Sequence, residues 1–185
     1  GGAEVKALLP LIGWPRGVFD GHRVALPQAG MEIDFGGFGK EYAADRAAAL
    51  LRQAGVAGGY VNLGGDIAVL GPRSDGRGWR LGIRHPRRDD AMIDTLELGA
   101  GALATSGDYE RYFEADGVRY CHVLDPSSGW PVRDWQSVSV VAPTCAAAGA
   151  ACTITMLLGA RGLTFIREQS LPFLAVDVRG VVIRV

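Results

Sequence analysis

Residues able to do chemistry gather in four short segments, most of them marked by glycine. The first is Asp34-Phe35-Gly36-Gly37-Phe38-Gly39-Lys40. Glycines at a helix start let a ligand approach the backbone closely and leave free N–H groups facing any anion, an attraction the helix dipole strengthens. Lys40 adds a positive charge there, and Asp34 adds an acceptor suited to a hydroxyl, amide or ring N–H. The spacing matches neither G-x-x-x-x-G-K-[ST] nor G-x-G-x-x-G, so a phosphate site and a plain strand-to-helix turn both fit it. The second segment, Asn62-Leu63-Gly64-Gly65-Asp66, reads as a turn between two apolar strands. The third, Ala104-Thr105-Ser106-Gly107-Asp108-Tyr109 followed by Arg111 and Tyr112, sets small hydroxyls beside a glycine and a carboxylate. A polar-ligand loop and a capped turn both have that composition.

The fourth segment is Cys121-His122-Val123-Leu124-Asp125-Pro126, continuing as Ser127-Ser128-Gly129-Trp130-Pro131. His122 stands at a strand end just before a Pro/Gly turn, where a side chain reaches a cleft. With Asp125 nearby it is a candidate acid–base group, and a structural histidine is the competing reading. His22 and His85 fall in polar loops and read as solvated. The three cysteines, Cys121, Cys145 and Cys152, fit neither a disulfide framework nor a zinc site, because their number is odd and their spacing wide. Cys145 and Cys152 are seven residues apart on a helix, roughly 10 Å of axial rise, and read as small buried apolar groups.

The chain that carries these segments has 185 residues, with 19 Lys+Arg against 20 Asp+Glu and a net charge of −1. That length suits one domain with a sizeable core. Hydrophobic residues at 48% and charged residues at 21% exclude disorder, and the lack of a basic excess speaks against nucleic-acid binding. No run approaches the ~18 apolar residues of a membrane-spanning helix. Glycine, 27 of 185, is about twice its usual share, so turns should be many and strands short.

The apolar pattern predicts short strands at Arg23–Leu26, Met31–Asp34, Gly59–Leu63, Ile67–Leu70, Trp79–Ile83, Met92–Leu98, Gly101–Thr105, Val118–Leu124, Val138–Val141, Phe173–Val178 and Val181–Val185. Asp116-Gly117 predicts a hairpin turn. Helices are expected from Gly39 to Gln53 with Tyr42, Ala43, Ala47 and Leu50-Leu51 as the apolar face, over Pro143–Leu158, and over Leu163–Gln169. Irregular alternation and short connections indicate an α+β fold with a mixed, largely antiparallel sheet and a few packed helices.

Taken in order, the segments resemble the ApbE family of FAD:protein FMN transferases. The resemblance is carried by Met31-Glu32-Ile33-Asp34-Phe35-Gly36-Gly37-Phe38-Gly39-Lys40-Glu41-Tyr42-Ala43-Ala44-Asp45, Val61-Asn62-Leu63-Gly64-Gly65-Asp66, Ala104 to Tyr109, His122-Val123-Leu124-Asp125-Pro126 with Gly129 and Pro131, and Val138-Ser139-Val140-Val141-Ala142-Pro143-Thr144. It implies an enzyme that cleaves FAD with the help of Mg²⁺ and attaches FMN through a phosphoester to a threonine of an acceptor flavoprotein. In this chain it implies FAD contacts at Asp34, Lys40 and Leu124, a metal-binding carbonyl at Gly37, and His122 as the group that activates the acceptor hydroxyl. It also implies a periplasmic location or one on the outer face of the inner membrane, with a lipid anchor lying outside these residues. The 185 residues correspond to the C-terminal half to two-thirds of the family's chain, the N-terminal region being absent.

One departure bears on the metal. The family's helix after Ala142-Pro143-Thr144 carries an Asp and, four residues later, a Thr, both reaching Mg²⁺. Here Thr153 is in place, but the Asp position is Gly149 and the position before Thr153 is Cys152. Mg²⁺ favours hard oxygen ligands, so a weakened or lost metal is expected. Restoring Asp at 149 is expected to rebuild the site at no cost in helix stability. Two other activities follow from the same resemblance: a non-catalytic FAD-binding homologue, and an FAD pyrophosphatase.

Overall fold

The computed structural model describes residues 2–185. Its elements are α1 (Gly2–Leu8), β1 (Val18–Phe19), β2 (Val24–Ala25), α2 (Gly39–Gln53), β3 (Gly59–Leu63), β4 (Asp66–Gly71), β5 (Trp79–Arg84), β6 (Met92–Leu98), β7 (Gly101–Gly107), β8 (Tyr112–Ala115), β9 (Val118–Cys121), β10 (Trp135–Ala142), α3 (Cys145–Leu157), α4 (Gly162–Glu168), β11 (Phe173–Asp177) and β12 (Val182–Arg184). The principal sheet has the order β12-β11-β10-β7-β4-β3, and every neighbouring pair in it is antiparallel. The expected α+β class with largely antiparallel sheet is what the chain adopts.

The sheet is covered on both faces, and side-chain alternation sorts its residues between two cores. Ala68 and Leu70 of β4, Ala102 and Ala104 of β7, Val138 and Val140 of β10, and Ala175 of β11 face α2 and α3. Their neighbours Ile67, Val69, Leu103, Leu174 and Val176 face the β5–β6 hairpin, with its Leu81 and Ile83. Cover on both sides explains why all six residues of β4 are buried. On the helix side the contact surface is made of small residues, Ala44 and Ala48 from α2 and Ala148 and Ala151 from α3, so these elements approach closely.

Local chemistry sets the end of α2 and the start of α3. Gly55 takes φ +86 just past α2, as a C′ glycine does. At the start of α3, Thr144 accepts from the Ala147 N–H at 3.2 Å. Asp45 of α2 reaches across 100 residues of sequence and accepts from the Cys145 N–H at 2.8 Å and the Ala146 N–H at 2.9 Å. One carboxylate thus caps a helix that is not its own, and it ties α2 to α3. Hydrogen bonds to a charged group contribute about 1.5–3 kcal/mol. Asp45→Ala is therefore expected to lower the thermal midpoint by roughly 3–12 °C in a chain of this size. An unchanged midpoint would mean that Thr144 alone suffices.

Two expectations are corrected. Met31–Asp34 is not a strand. The segment is largely exposed with no neighbouring strand to bond, and the Asp34 carboxylate accepts from the Gly36 N–H at 2.6 Å, a local bond that competes with sheet pairing. The apolar face of α2 is also rotated from the expected one. Tyr42, Leu50 and Leu51 are exposed, while the buried residues are Glu41, Ala44 and Ala48, spaced i, i+3 and i+7 along one stripe. The expected hairpin turn is present, with Asp116 and Gly117 both at positive φ as a type I′ turn demands. Helix α1 was not expected from the sequence.

Candidate functional site

Lys40 opens α2 one residue after Gly39, so its side chain leaves the first helical turn and lies over the Gly64-Gly65 turn between β3 and β4. That turn needs its glycines, at φ +64 and +98, and Asn62 braces it by accepting from the Gly65 N–H at 2.8 Å. Just beyond it Asp66, with only 3% of its side chain exposed, receives the Lys40 ammonium at 2.7 Å. Its other oxygen accepts from the Thr105 N–H at 3.3 Å. Burial pulls the lysine pKa down, but the hydrogen bond and charge of Asp66 outweigh it, with help from Glu41 and Glu110, and hold it above the ordinary value. The ammonium is half-exposed, so a fixed positive charge faces solvent at the start of α2. Sequence reasoning found Lys40 and left Asp66 inside a turn; it is the buried anchor of that lysine.

His122 follows β9 directly. Its Nδ1 lies 3.2 Å from the Arg111 carbonyl oxygen, which can only accept, so Nδ1 carries the proton and Nε2 is the accepting nitrogen. The residue as a whole is exposed, but partial screening of the ring from water, then the Arg111 charge and more weakly that of Lys40, pull its pKa below the ordinary value of 6.5. The ring is neutral at pH 7 and able to take a proton. Asp125 is not its partner. That carboxylate is committed to its own turn, accepting from the Ser127 N–H at 2.9 Å and from the Ser127 and Ser128 hydroxyls at 2.8 Å. Leu124 is 53% exposed and forms a bridge with Pro131.

The structure brings Lys40 and His122 within electrostatic range of each other. Asp34 lies on the exposed loop before α2, its carboxylate turned onto Gly36, and Gly37 is open to solvent. In the third segment Asp108 is held bidentately by Arg87 at 2.6 Å to each oxygen. Thr105 shares a hydrogen bond with Ser139 at 2.8 Å. Burial raises the Tyr109 hydroxyl to about 12, so it stays protonated.

For the metal question the relevant oxygens lie around α3. The Thr153 hydroxyl is 3.2 Å from that of Ser106. No group of three His, Cys, Asp or Glu side chains among the described residues is placed to hold a metal ion. Cys152 is fully buried, donates to the Ala104 carbonyl at 3.3 Å, and has its thiol pKa raised by burial. Cys145 is likewise buried, its pKa raised to about 12, so both behave as the inert apolar groups expected. Gly149 does not leave an open place for Asp, contrary to expectation. A Cβ there would lie 2.6 Å from Glu41 Cγ and 2.7 Å from Glu41 Oε1. Glu41 is 6% exposed, and its Oε2 has no hydrogen-bond partner. Sequence reasoning missed it, although its place three and seven residues before Ala44 and Ala48 puts it on their face. A buried carboxylate oxygen with no donor, set against Gly149 one helical turn before Thr153, fits a hard divalent cation.

Comparison with known proteins agrees with this fold. The sequence pattern of the ApbE family matches residues 1–175. A Vibrio cholerae FAD:protein FMN transferase is 32% identical over 176 residues, 94% of this chain and 53% of that protein. One from Treponema pallidum is 39% identical over 150 residues, 75% of this chain and 41% of its own length. The crystal structure of the ApbE protein of Thermotoga maritima superposes with a TM-score of 0.91 at 37% identity, covering 100% of this chain and 61% of that one. The Pseudomonas stutzeri flavinyl transferase ApbE gives 0.86 at 31% identity, covering 100% and 58%. The chain spans about half the length of the curated relatives it matches.

Proposed function

The chain belongs to the ApbE family, and on that premise we propose that it is the FAD-binding and transfer portion of an FAD:protein FMN transferase acting on a threonine of an acceptor flavoprotein. The observation that carries this reading is the pairing of a fixed cation with a neutral base. Lys40 is anchored on buried Asp66, and His122 is held in the tautomer that leaves Nε2 free to accept. In the transfer the threonine hydroxyl attacks the phosphorus on the FMN side of the pyrophosphate. A new P–O bond forms, the bridging P–O bond breaks, and AMP leaves with the electron pair. The hydroxyl proton passes to His122 Nε2. Lys40 faces the growing negative charge, Asp34 accepts from the flavin, and Leu124 borders it. The Gly37 carbonyl and the Thr153 hydroxyl would hold Mg²⁺, which when bound supplies charge neutralisation to the pyrophosphate. On the family's pattern the protein works in the periplasm or at the outer face of the inner membrane.

Calorimetric titration of FAD into the full chain, with and without Mg²⁺, tests the reading. Tight Mg²⁺-dependent binding is the expected result, whereas tight binding indifferent to Mg²⁺ would favour a non-catalytic flavin binder. Asp34→Ala removes a charged acceptor contributing about 1.5–3 kcal/mol, so its dissociation constant should rise by roughly tenfold or more. An unchanged constant would take Asp34 out of the site.

A further inference from the structure

We propose that Glu41 supplies, from α2, the metal-binding carboxylate that the family's pattern places on α3, and that residue 149 is glycine because the Glu41 side chain fills the space a side chain there would need. The inference rests on the transferase reading for what the ion does, but the binding itself is read from this chain. A carboxylate in the apolar stripe of a helix is costly to bury unless something compensates its charge. Glu41 is more than nine-tenths buried, and its Oε2 meets no donor. The Lys40 ammonium, which feels the charge of Glu41, is bonded to Asp66 at 2.7 Å. The Glu41 carboxylate therefore calls for a compensating group, and a metal ion is one that supplies it.

Geometry favours the ion. The Glu41 carboxylate lies against the Gly149 backbone, within 3 Å of where a Cβ would stand. Thr153, one helical turn further along α3, presents a hydroxyl paired with that of Ser106 at 3.2 Å. These are hard oxygens on the face that α3 turns toward α2 and β7. Asp66 and Glu41 both bear electrostatically on the thiols of Cys145 and Cys152, so their negative charge is felt along this stretch of α3. Such a set selects Mg²⁺ or Mn²⁺, and the buried protonated Cys152 thiol is not a ligand for either.

Mn²⁺ alone, and Mn²⁺ with FAD, serves as the probe, followed by calorimetry and by the electron paramagnetic resonance of the free ion in the full chain. One Mn²⁺ site is expected. Glu41→Gln, isosteric and uncharged, should weaken it by about tenfold or more with the thermal midpoint held or raised. The paired replacement Glu41→Gly with Gly149→Asp moves the carboxylate back to α3 and should recover Mn²⁺ affinity to within a few-fold. A wild-type chain that binds no Mn²⁺ under either condition, or a Glu41→Gln chain that binds it as the wild type does, would overturn the proposal. Mn²⁺ bound through Glu41 without any FMN transfer would leave the metal site standing and sink the transferase reading instead.

Discussion

Replacing His122 by alanine is expected to lower the rate of FMN transfer by ~10²–10⁴-fold, the usual contribution of a positioned acid–base group, while FAD affinity stays within a few-fold. The Arg111 carbonyl fixes the tautomer at 3.2 Å, and no other residue of the segment can replace Nε2, since Asp125 is bound into its own turn. The pH dependence carries a second signature. Partial burial, then Arg111, lowers the His122 pKa below 6.5. The base is then protonated and idle only in more acidic solution, and the rate should climb with pH through an inflection below 6.5 and level off. The alanine variant should lose that inflection together with the rate. Transfer at the wild-type rate would return His122 to the structural histidines.

Gly149→Asp, made alone, is the second large effect, and its sign is opposite to the one helix propensity suggests. The new Cβ would stand 2.6 Å from Glu41 Cγ, and Glu41 has little room to withdraw, being 6% exposed. Overpacking a tight interior costs about 1–3 kcal/mol, and a second carboxylate beside an uncompensated one adds repulsion and desolvation. A loss of ~3 kcal/mol or more is expected, seen as a fall of roughly 6–12 °C in thermal midpoint. Removing Glu41 in the same chain should relieve most of it. A single variant as stable as the parent would mean that Glu41 swings aside freely.

Much of this fold is legible from residue patterns. The all-buried β4 reads as an apolar run because hairpin and helices cover both its faces, and the Asp116-Gly117 turn announces itself by type. Other features are not legible, each for a physical reason. Met31–Asp34 has strand composition but no partner to pair with. Helix α2 has alanines on several faces, so the stripe through Tyr42, Ala43 and Ala47 looks as apolar as the buried one through Ala44 and Ala48. Choosing the wrong stripe turns Glu41 outward on paper. The relation between Glu41 and Gly149 then stays hidden, because it joins two helices far apart in sequence. Lys40 and His122 are visible as residue types, but the buried Asp66 that anchors one and the Arg111 carbonyl that orients the other appear only in three dimensions.

The contact between Glu41 and Gly149 also orders the mutational routes by which relatives could come to differ. Two proteins that carry the acid on α2 or on α3 are separated by substitutions at two positions, and the two possible first steps are unequal. Adding the α3 acid first crowds two carboxylates into one space, a step that stability selects against. Removing the α2 acid first leaves no carboxylate at the site and a chain that still folds. The passable path therefore runs through an intermediate that keeps its structure and loses its ion. Within any lineage the identities at positions 41 and 149 should be locked to each other, a strong epistasis between residues that share no local sequence.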